Sequence, residues 1–500
     1  MTSKLGHLRF GNDSQEIVVQ SPYARESGCQ ANVREAKALD HNLTERASRH
    51  EVKKVSWVTT VGYGSGDFGF NLYFAGLNLY LLYYYTDVLN IDPAVAGLII
   101  MLPVIWDGVS DPLMGWIVTR TRSRFGKFRP YILFGAPLMG FSFVGMFAAP
   151  IWFPDHMIVA CLVTHTIFRT AYTVASVPYS SLAAALTHNS QERGTMAGVR
   201  LMAAMIGGIV TAATMLELAR FFGNGDMRQG FVQVASVYAL LSSVMMVVIF
   251  LTTSNEVSLV SRQTVTNRQT FSFLRHNRAF WILCGASFVG VIGSAIGGKS
   301  IVYYINYYAG HPDSVSEVMS IGILGAGIGI PLWTLVTRQL SKRWVWMIGA
   351  SGAALVNLAL FFLDVTAVST LSALIFCNGI MGGAVAVMFW SMLPDTVEYG
   401  QWRSRIRDDG IVFGLSQLIS KAGSGLGVGM IGLLLSAIGY TAGIDQSAET
   451  LQGIRASAFL VPAAASLLSA LVIAFYPLDS TLHARIVRGL ARRAPRSKES

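Results

Sequence analysis

The chain has 500 residues, but only 13% of them are Asp, Glu, Lys or Arg, about half the share found in soluble proteins. Hydrophobic residues make up 52% and glycine occurs 49 times, a composition typical of repeated membrane-spanning helices. This excludes a soluble enzyme, a collagen-like rod and a disordered protein. The net charge of +10 would suggest nucleic acid in a soluble protein, but in a membrane protein it marks cytoplasmic loops, so we expect no nucleic-acid partner.

Residues 1–56 are polar and carry both signs of charge, with no short apolar run before a cleavage site. They are therefore interpreted as a cytoplasmic tail and not as a secretory signal. The four cysteines show no paired spacing that would indicate a disulfide framework or a zinc site.

Apolar stretches of at least about 20 residues predict twelve membrane-spanning helices and an all-α integral membrane fold. Their expected limits are 57–85, 94–119, 131–152, 156–186, 196–219, 231–252, 279–309, 316–337, 344–364, 369–393, 410–438 and 456–476.

The basic residues predict the orientation of these spans. Of the 38 Lys and Arg residues, 31 fall in the tails and in the loops on the same side as the termini, and three lie in loops on the other side. The positive-inside rule therefore places both termini in the cytoplasm of a multi-pass inner-membrane protein. The remaining four lie within or near the ends of spans: Arg169, Arg200, Lys299 and Lys421.

The sequence also repeats after six spans. LYLLYYYTDVLNIDP in the first span corresponds to SIVYYINYYAGHPD in the seventh, and IVTRTRSR after the second span corresponds to LVTRQLSK after the eighth. Convergence of aromatic span ends and basic loops remains an alternative. The repeat predicts two six-helix halves, 57–252 and 279–476, joined by a cytoplasmic linker at 253–278 and followed by a basic tail at 477–500. A transporter with its substrate site between the halves fits this organisation.

Two carboxylates in the second span are the strongest candidates for a functional site, because charge in hydrocarbon is costly. Asp107 and Asp111 are four residues apart and share one helix face. Two like charges so placed require a bound cation or a shared proton. We expect them to bind Na⁺ or H⁺, with Na⁺ as the metal if the protein is sodium-coupled. Alternatively, Asp111 orients the kink at Pro112 and Asp107 pairs with a buried arginine.

The fourth span carries a polar stripe at spacings of four, four and three: His165, Arg169, Thr173 and Ser176. The stripe is expected to face a cavity, although Thr173 and Ser176 could equally bond a neighbouring helix. Arg169 is predicted to be either the counter-ion of Asp107 or Asp111, or a substrate anchor.

Four further intramembrane residues are predicted to contact substrate. Lys299 and Lys421 lie too deep in their spans for full snorkelling and are expected to face the cavity. Asp67 and Asn71 lie four residues apart on the first span, between glycines that permit close helix packing.

The loop LPDTVEYGQWRSRIRDD interleaves charges of both signs and is predicted to act as a cytoplasmic gate against the basic loop TRTRSRFGKFRP of the other half. Its candidate gating residues are Asp395, Glu398, Arg403, Arg405 and Arg407. The alternative is that they are solvated loop charges of little energetic consequence.

Five segments carry a resemblance to a known family: WDGVSDPLMGWIVTRTRSRFGKFRPYILFGAP, YYYTDV, YTVASVPYSSL, LPDTVEYG and ISKAGSGLG. They resemble the glycoside–pentoside–hexuronide:cation symporters of the major facilitator superfamily, over about Gly62 to Tyr440. The resemblance implies a twelve-helix, two-half fold with alternating access. It implies that Asp107, Asp111 and Thr173 form the cation site and that Lys421 lies between cation and sugar.

Where melibiose-transporting members of that family have sugar-binding acids, this chain has Asn71 and Ser176, and Ser180 replaces an aromatic residue. Acids are lost while intramembrane basic residues are present, which predicts an anionic, hexuronide-like substrate. The expected function is import of a glycoside, sugar or sugar acid with a cation, by a monomer without other cofactors. A lipid or lysophospholipid transporter of the same fold is the alternative. A membrane-embedded enzyme is disfavoured, because the sequence has no zinc, serine-nucleophile or nucleotide-phosphate motif. The glycine run GSAIGGKS meets the spacing of a phosphate-binding loop, but it lies inside an apolar span with no strand before it.

Overall fold

The computed structural model describes residues 55–187, 189–253 and 267–493. Twelve long helices run through these ranges, and the described residues contain no strand. We number them α1 (Trp57–Tyr83), α2 (Pro93–Arg120), α3 (Arg129–Trp152), α4 (Met157–Leu186), α5 (Ser190–Gly223), α6 (Met227–Thr252), α7 (Arg278–Tyr303), α8 (Val315–Val336), α9 (Lys342–Phe362), α10 (Val368–Ser404), α11 (Asp409–Ala437) and α12 (Ala448–Ala474). The side of the bundle at which α1 begins is called proximal, and the side at which α1 ends is called distal.

Eleven of these helices are long and apolar enough to cross a membrane. The remaining one, α1, has 27 residues but is more polar, because it carries Ser65, Asp67 and Asn71. Large apolar side chains are exposed on the outside of the bundle, among them Phe134 and Phe141 on α3. Such a surface suits lipid and not water. The predicted all-α, twelve-helix membrane fold is confirmed.

Local chemistry fixes where the helices begin. The Asp92 side chain accepts hydrogen bonds from the backbone N–H groups of Ala94 and Val95, and Pro93 occupies the first turn of α2. Asp226 caps α6 in the same way. Each cap satisfies backbone donors that have no partner within the helix.

Several predicted boundaries were wrong, because an apolar run marks the hydrocarbon and not the end of the helix. α10 continues through Pro394 to Ser404, so most of the predicted gating loop is helical. α12 begins eight residues earlier than expected, at Ala448, and α5 spans Ser190–Gly223 instead of 196–219. The predicted linker and C-terminal tail contain short helices, Asn267–Arg275 and Ser480–Arg493. The predicted N-terminal tail lies outside the described residues, except for its last two positions.

The two halves pack alike. In the first half, α1 packs on α5 and α6, α2 on α4, and α3 on α4 and α6. The corresponding helices of the second half make the corresponding pairs. α1 and α7 also both continue into a five-residue π-helical turn at the distal side, Tyr84–Val88 and Tyr304–Tyr308. The weak sequence repeat therefore corresponds to a repeated structure.

The halves meet chiefly through α2 against α11, α5 against α8 and α1 against α7. At the distal part of the α2–α11 crossing the backbones approach closely: a Cβ atom built on Gly432 would lie 2.3 Å from the carbonyl oxygen of Pro93. Only glycine permits this approach. The distal side is therefore tightly closed.

Candidate functional site

The centre of the site is a four-charge cluster formed by Asp107 and Asp111 of α2, Arg169 of α4 and Lys421 of α11. Arg169 Nη1 donates to Asp107 Oδ2 at 3.0 Å. Lys421 Nζ donates to Asp111 Oδ2 and lies 3.7 Å from Asp107 Oδ2. Two acids and two bases give the four-charge cluster a formal charge of zero. Lys421 belongs to the second half, so this contact joins the halves.

Arg169 is the counter-ion of Asp107 in this conformation, as one of its two alternatives and the alternative interpretation of Asp107 predicted. Its role as a substrate anchor stays a prediction. Its Nε donates to His165 Nε2 at 3.2 Å, while His165 Nδ1 lies 3.4 Å from the Ile99 carbonyl oxygen. Asp107 is only 1% exposed and Arg169 8%. A buried arginine held on two sides is fixed in direction, and its charge is matched by the carboxylate.

One oxygen of the four-charge cluster has no protein partner. Asp107 Oδ1 is buried and makes no hydrogen bond to any described residue. Close by, Thr173 Oγ1 donates to Asp111 Oδ1 at 2.9 Å and lies 3.2 Å from Ser110 Oγ. These carboxylate and hydroxyl oxygens form a hard-ligand set suited to Na⁺ or to a proton. The sequence reasoning did not identify Ser110, although its position between Asp107 and Asp111 is a usable signal.

Asp67 and Asn71 lie in a separate cluster on the first half. Arg200 of α5 donates to both carboxylate oxygens of Asp67, and Tyr179 Oη donates to Asp67 Oδ2 at 2.9 Å. Asn71 Nδ2 donates to the backbone oxygen of Asp67 at 2.9 Å. The Arg200 guanidinium lies 4.8 Å from the ring centre of Tyr179. Asp67 is thus already paired, in a contact that ties α1 to α4 and α5.

Ser176 of α4 is half-buried. Among the described residues, no hydrogen bond connects its side chain to either charge cluster. Its predicted contact with substrate stays a prediction.

Lys299 does not face the cavity in this conformation, contrary to expectation. It is only 4% exposed, and its Nζ donates to the backbone oxygen of Asn78 on α1 at 2.7 Å. The physical reason is that the ammonium reaches the backbone of the opposite half where α1 and α7 meet. Lys299 therefore contributes to closure of the distal side.

Further contacts close the distal side. Asp87 Oδ1 accepts hydrogen bonds from Tyr307 Oη at 2.5 Å and Tyr440 Oη at 2.8 Å, and both tyrosines belong to the second half. Arg220 on α5 pairs with Asp313 before α8 at 2.9 Å. Asp87 was not among the predicted residues, although the YYYTDV segment contains it.

The predicted gating residues make contacts within the second half. Asp395 pairs with Lys342 at 2.7 Å, and Glu398 lies 2.6 Å from His483 of the C-terminal helix. Arg407 pairs with Asp409 at 2.8 Å. Two further gating candidates lie at the end of α10: Arg403 lies 5.5 Å from the ring centre of Trp402, and Arg405 ends the helix with a positive φ of 61°. A lock formed by these residues across the halves stays a prediction.

A cavity of about 680 Å³ opens within the second half, between α7, α8, α9, α10, α11 and α12. Its lining residues include three with amide side chains, Asn357, Asn378 and Gln417, and the aromatic residue Trp390. This volume is that of a small-molecule site. Sequence reasoning missed these amides, because a single uncharged polar residue on an apolar helix carries little signal.

The sequence of this chain is similar to those of known transport proteins. Residues 62–480 match the family model described as MFS/sugar transport protein. The chain is 31% identical to the uncharacterized symporter YnaJ of Bacillus subtilis, over 88% of this chain and 96% of that protein. It is 29% identical to the glucuronide carrier protein homolog of Escherichia coli, over 87% of this chain and 95% of that protein.

It is also 29% identical to the isoprimeverose transporter of Lactiplantibacillus pentosus, over 87% of this chain and 92% of that protein. Among solved structures, an inward-facing bacterial homolog of the human lysosomal transporter Spinster superposes with a TM-score of 0.62. The superposition covers 87% of this chain and 98% of the Spinster homolog, with 14% sequence identity, and therefore shows a similarity of fold alone.

The expected resemblance, membrane location and transport function are confirmed, and the protein is a transporter and not an enzyme. With twelve helices in two repeated halves and a match over most of its length, the chain belongs to the MFS/sugar transport protein family.

Proposed function

We propose that this protein is a cation-coupled symporter that carries a sugar or glycoside across the membrane by alternating access. The single observation that carries the coupling is Asp107 Oδ1, a buried carboxylate oxygen without a partner among the described residues. Leaving such an oxygen unsatisfied is unfavourable, so a coupling cation at this position would be stabilised. Asp111 and Thr173 would complete its ligand set, with Na⁺ or H⁺ as the coupling ion and no other cofactor.

Charge balance suggests how coupling works. The four-charge cluster is formally neutral before any ligand binds. Adding Na⁺ or H⁺ alone would leave one uncompensated positive charge in a site of low dielectric constant, which is unfavourable. An anionic substrate would restore neutrality, and Lys421 or Arg169, no longer needed by the carboxylates, would bind it. Each ligand then favours binding of the other.

We propose an anionic glycoside, such as a hexuronide, as the substrate class. Charge-assisted hydrogen bonds from Arg169 and Lys421 would suit a carboxylate. The relative named as a glucuronide carrier protein homolog supports this class, while the relative named as an isoprimeverose transporter supports an uncharged sugar. Amide groups line the cavity, which favours a sugar over a lipid.

We further propose that the proximal side is cytoplasmic, since the basic loops that join the described helices lie there. The protein would then be a multi-pass inner-membrane transporter with both termini in the cytoplasm. A monomer is sufficient, because one copy of the chain supplies every group of the four-charge cluster.

The test is uptake into proteoliposomes of two probes that differ only at C6 of the ring. 4-Nitrophenyl-β-D-glucuronide carries a carboxylate there, and 4-nitrophenyl-β-D-glucoside carries a hydroxymethyl group. We expect a Na⁺ or proton gradient to drive accumulation of the glucuronide. Accumulation of the glucoside alone would refute the anionic substrate class but not symport.

Asp107→Asn tests the cation site in the same assay. The variant should lose cation stimulation. Because Arg169 then lacks its buried carboxylate partner, the melting temperature should also fall, and transport is measured below that temperature. The matched control is Asp155→Asn in the exposed turn before α4, which should behave as the unmodified protein. Cation stimulation retained in Asp107→Asn would refute the assignment.

A further inference from the structure

The cavity of the second half differs chemically from the four-charge cluster beside it. Among the described residues that line it, none is charged. Its polar groups are neutral amides and hydroxyls, including Asn357, Asn378, Gln417, Ser287 and Ser294. Neutral groups that both donate and accept hydrogen bonds suit hydroxyl groups of a ligand and not a second ion.

The two asparagines present unpaired hydrogen-bonding groups. Asn357 is only 4% exposed, and its Nδ2 donates to the Ala353 carbonyl oxygen at 2.8 Å and to Asn378 Oδ1 at 3.1 Å. This uses both Nδ2 hydrogens. Asn357 Oδ1 and Asn378 Nδ2 have no hydrogen-bond partner among the described residues, and both residues line the cavity. Together they offer an acceptor oxygen and a donor NH2 group, which complement a hydroxyl group that both donates and accepts.

Gln417 connects this wall to the four-charge cluster. It lies one turn before Lys421 on α11, so both side chains share one helix face. Gln417 is exposed to the cavity, while Lys421 reaches Asp111. A ligand held at its charged end by Lys421 would therefore extend its uncharged end past Gln417 and into the cavity.

Two glycines in the cavity wall are not explained by packing. A Cβ atom built on Gly298 or Gly382 meets no atom within 4 Å. By contrast, a Cβ on Gly325 would lie 2.3 Å from the Phe376 carbonyl oxygen, so that glycine is required for helix packing. Glycine costs a helix about 1 kcal/mol relative to alanine. At Gly298 and Gly382 the missing side chain leaves room in the cavity.

We infer that this cavity is the subsite for the uncharged, hydroxyl-bearing ring of the substrate. Asn357, Asn378 and Gln417 select that ring by hydrogen bonding, and Gly298 and Gly382 set its permitted size. The inference rests on the proposed sugar transport and deepens it: the substrate has a charged end at the four-charge cluster and a polyol end in the second half.

The test is binding of 4-nitrophenyl-β-D-glucuronide and of its monodeoxy analogues to the purified full chain, by calorimetry. Asn378→Leu removes the Nδ2 donor and leaves a ligand hydroxyl group without its partner, which should weaken binding about 10- to 100-fold. In that variant one deoxy analogue should bind as well as the full sugar, because its missing hydroxyl no longer has a partner. A merely structural defect would weaken all analogues equally.

Gly382→Leu tests the size of the cavity and should abolish glycoside binding. Its matched control is Gly145→Leu on α3, where a Cβ also meets nothing within 4 Å but which does not line the cavity. The melting temperature of each variant reports whether the fold is intact. Unchanged sugar binding and selectivity in both Asn378→Leu and Gly382→Leu would overturn the subsite. Absence of any glycoside binding by the unmodified protein would overturn the proposed function itself.

Discussion

Replacing Lys421 with methionine should change the affinities for the two ligands in opposite directions. The Lys421 ammonium donates to Asp111 Oδ2 and lies 3.7 Å from Asp107 Oδ2. It therefore competes with a coupling cation for the same two carboxylates. Methionine keeps the length of the side chain and removes the charge, which leaves the four-charge cluster with a formal charge of −1.

The size of the effect follows from the geometry. A hydrogen bond to a charged group contributes about 1.5–3 kcal/mol. Because the Lys421 side chain is 29% exposed, solvent reduces this to about 1–2 kcal/mol. Na⁺ should then bind about 5- to 30-fold more tightly. An anionic glycoside should bind more weakly by a similar factor, since it loses a charged donor.

Isothermal titration calorimetry of purified protein measures both affinities, with Na⁺ and with 4-nitrophenyl-β-D-glucuronide as ligands. The double variant Lys421→Met with Asp111→Asn restores neutrality and should return Na⁺ affinity toward that of the unmodified site. A loss of affinity for both ligands in Lys421→Met would indicate a structural role and refute the competition argument. Unchanged affinities would refute it as well.

Three further outcomes are expected. Gly432→Ala places a Cβ 2.3 Å from the Pro93 carbonyl oxygen and should separate the halves on the distal side. The distance between spin labels on the distal ends of α5 and α8 should then increase, whereas the control Gly145→Ala should leave this distance unchanged. Asp87→Asn weakens two tyrosine hydrogen bonds and should favour the distal-open state by about 2 kcal/mol. The distance between the same spin labels should increase, and an unchanged distance would contradict this. Arg200→Gln leaves Asp67 without its cation and should lower the free energy of unfolding by about 3–5 kcal/mol. Adding Asp67→Asn should restore that stability, and transport by the double variant would show that Asp67 has a structural role.

The fold was largely predictable because hydrocarbon imposes strong rules on sequence. Twelve apolar runs predict twelve helices, and the structure has them. The same rule fails at helix ends, since α10 continues through polar residues to Ser404. Beyond the hydrocarbon, helix length depends on backbone hydrogen bonds and packing, which an apolar run does not report.

The site was partly predictable for a similar reason. Spacing along one helix relates Asp107 to Asp111 and Arg169 to Thr173, and these four residues do lie together. Contacts between helices are set by tertiary packing, so spacing gives no partner for Lys299, which bonds to the backbone of α1. The same holds for Asp67, whose partner Arg200 is 133 residues away.

The internal repeat shows why both acids of the four-charge cluster lie in the first half. When IVTR at the end of α2 is aligned with LVTR at the end of α8, Asp107 corresponds to Gly325 and Asp111 to Gly329. A Cβ on Gly325 or Gly329 would lie 2.3 Å or 2.6 Å from a carbonyl oxygen of α10, so α8 and α10 pack backbone against backbone.

In the first half, the same helix face instead carries acids opposite Arg169 and Thr173 of α4. The same pair of helices therefore packs in both halves, but ion pairs and hydrogen bonds join α2 to α4, whereas close backbone contact joins α8 to α10. Lys421 of α11 is the charged group that the second half contributes to the ionic site. Since that contact crosses the interface, rocking of the halves must change the electrostatic environment of both carboxylates, which is what coupling of ion and substrate requires.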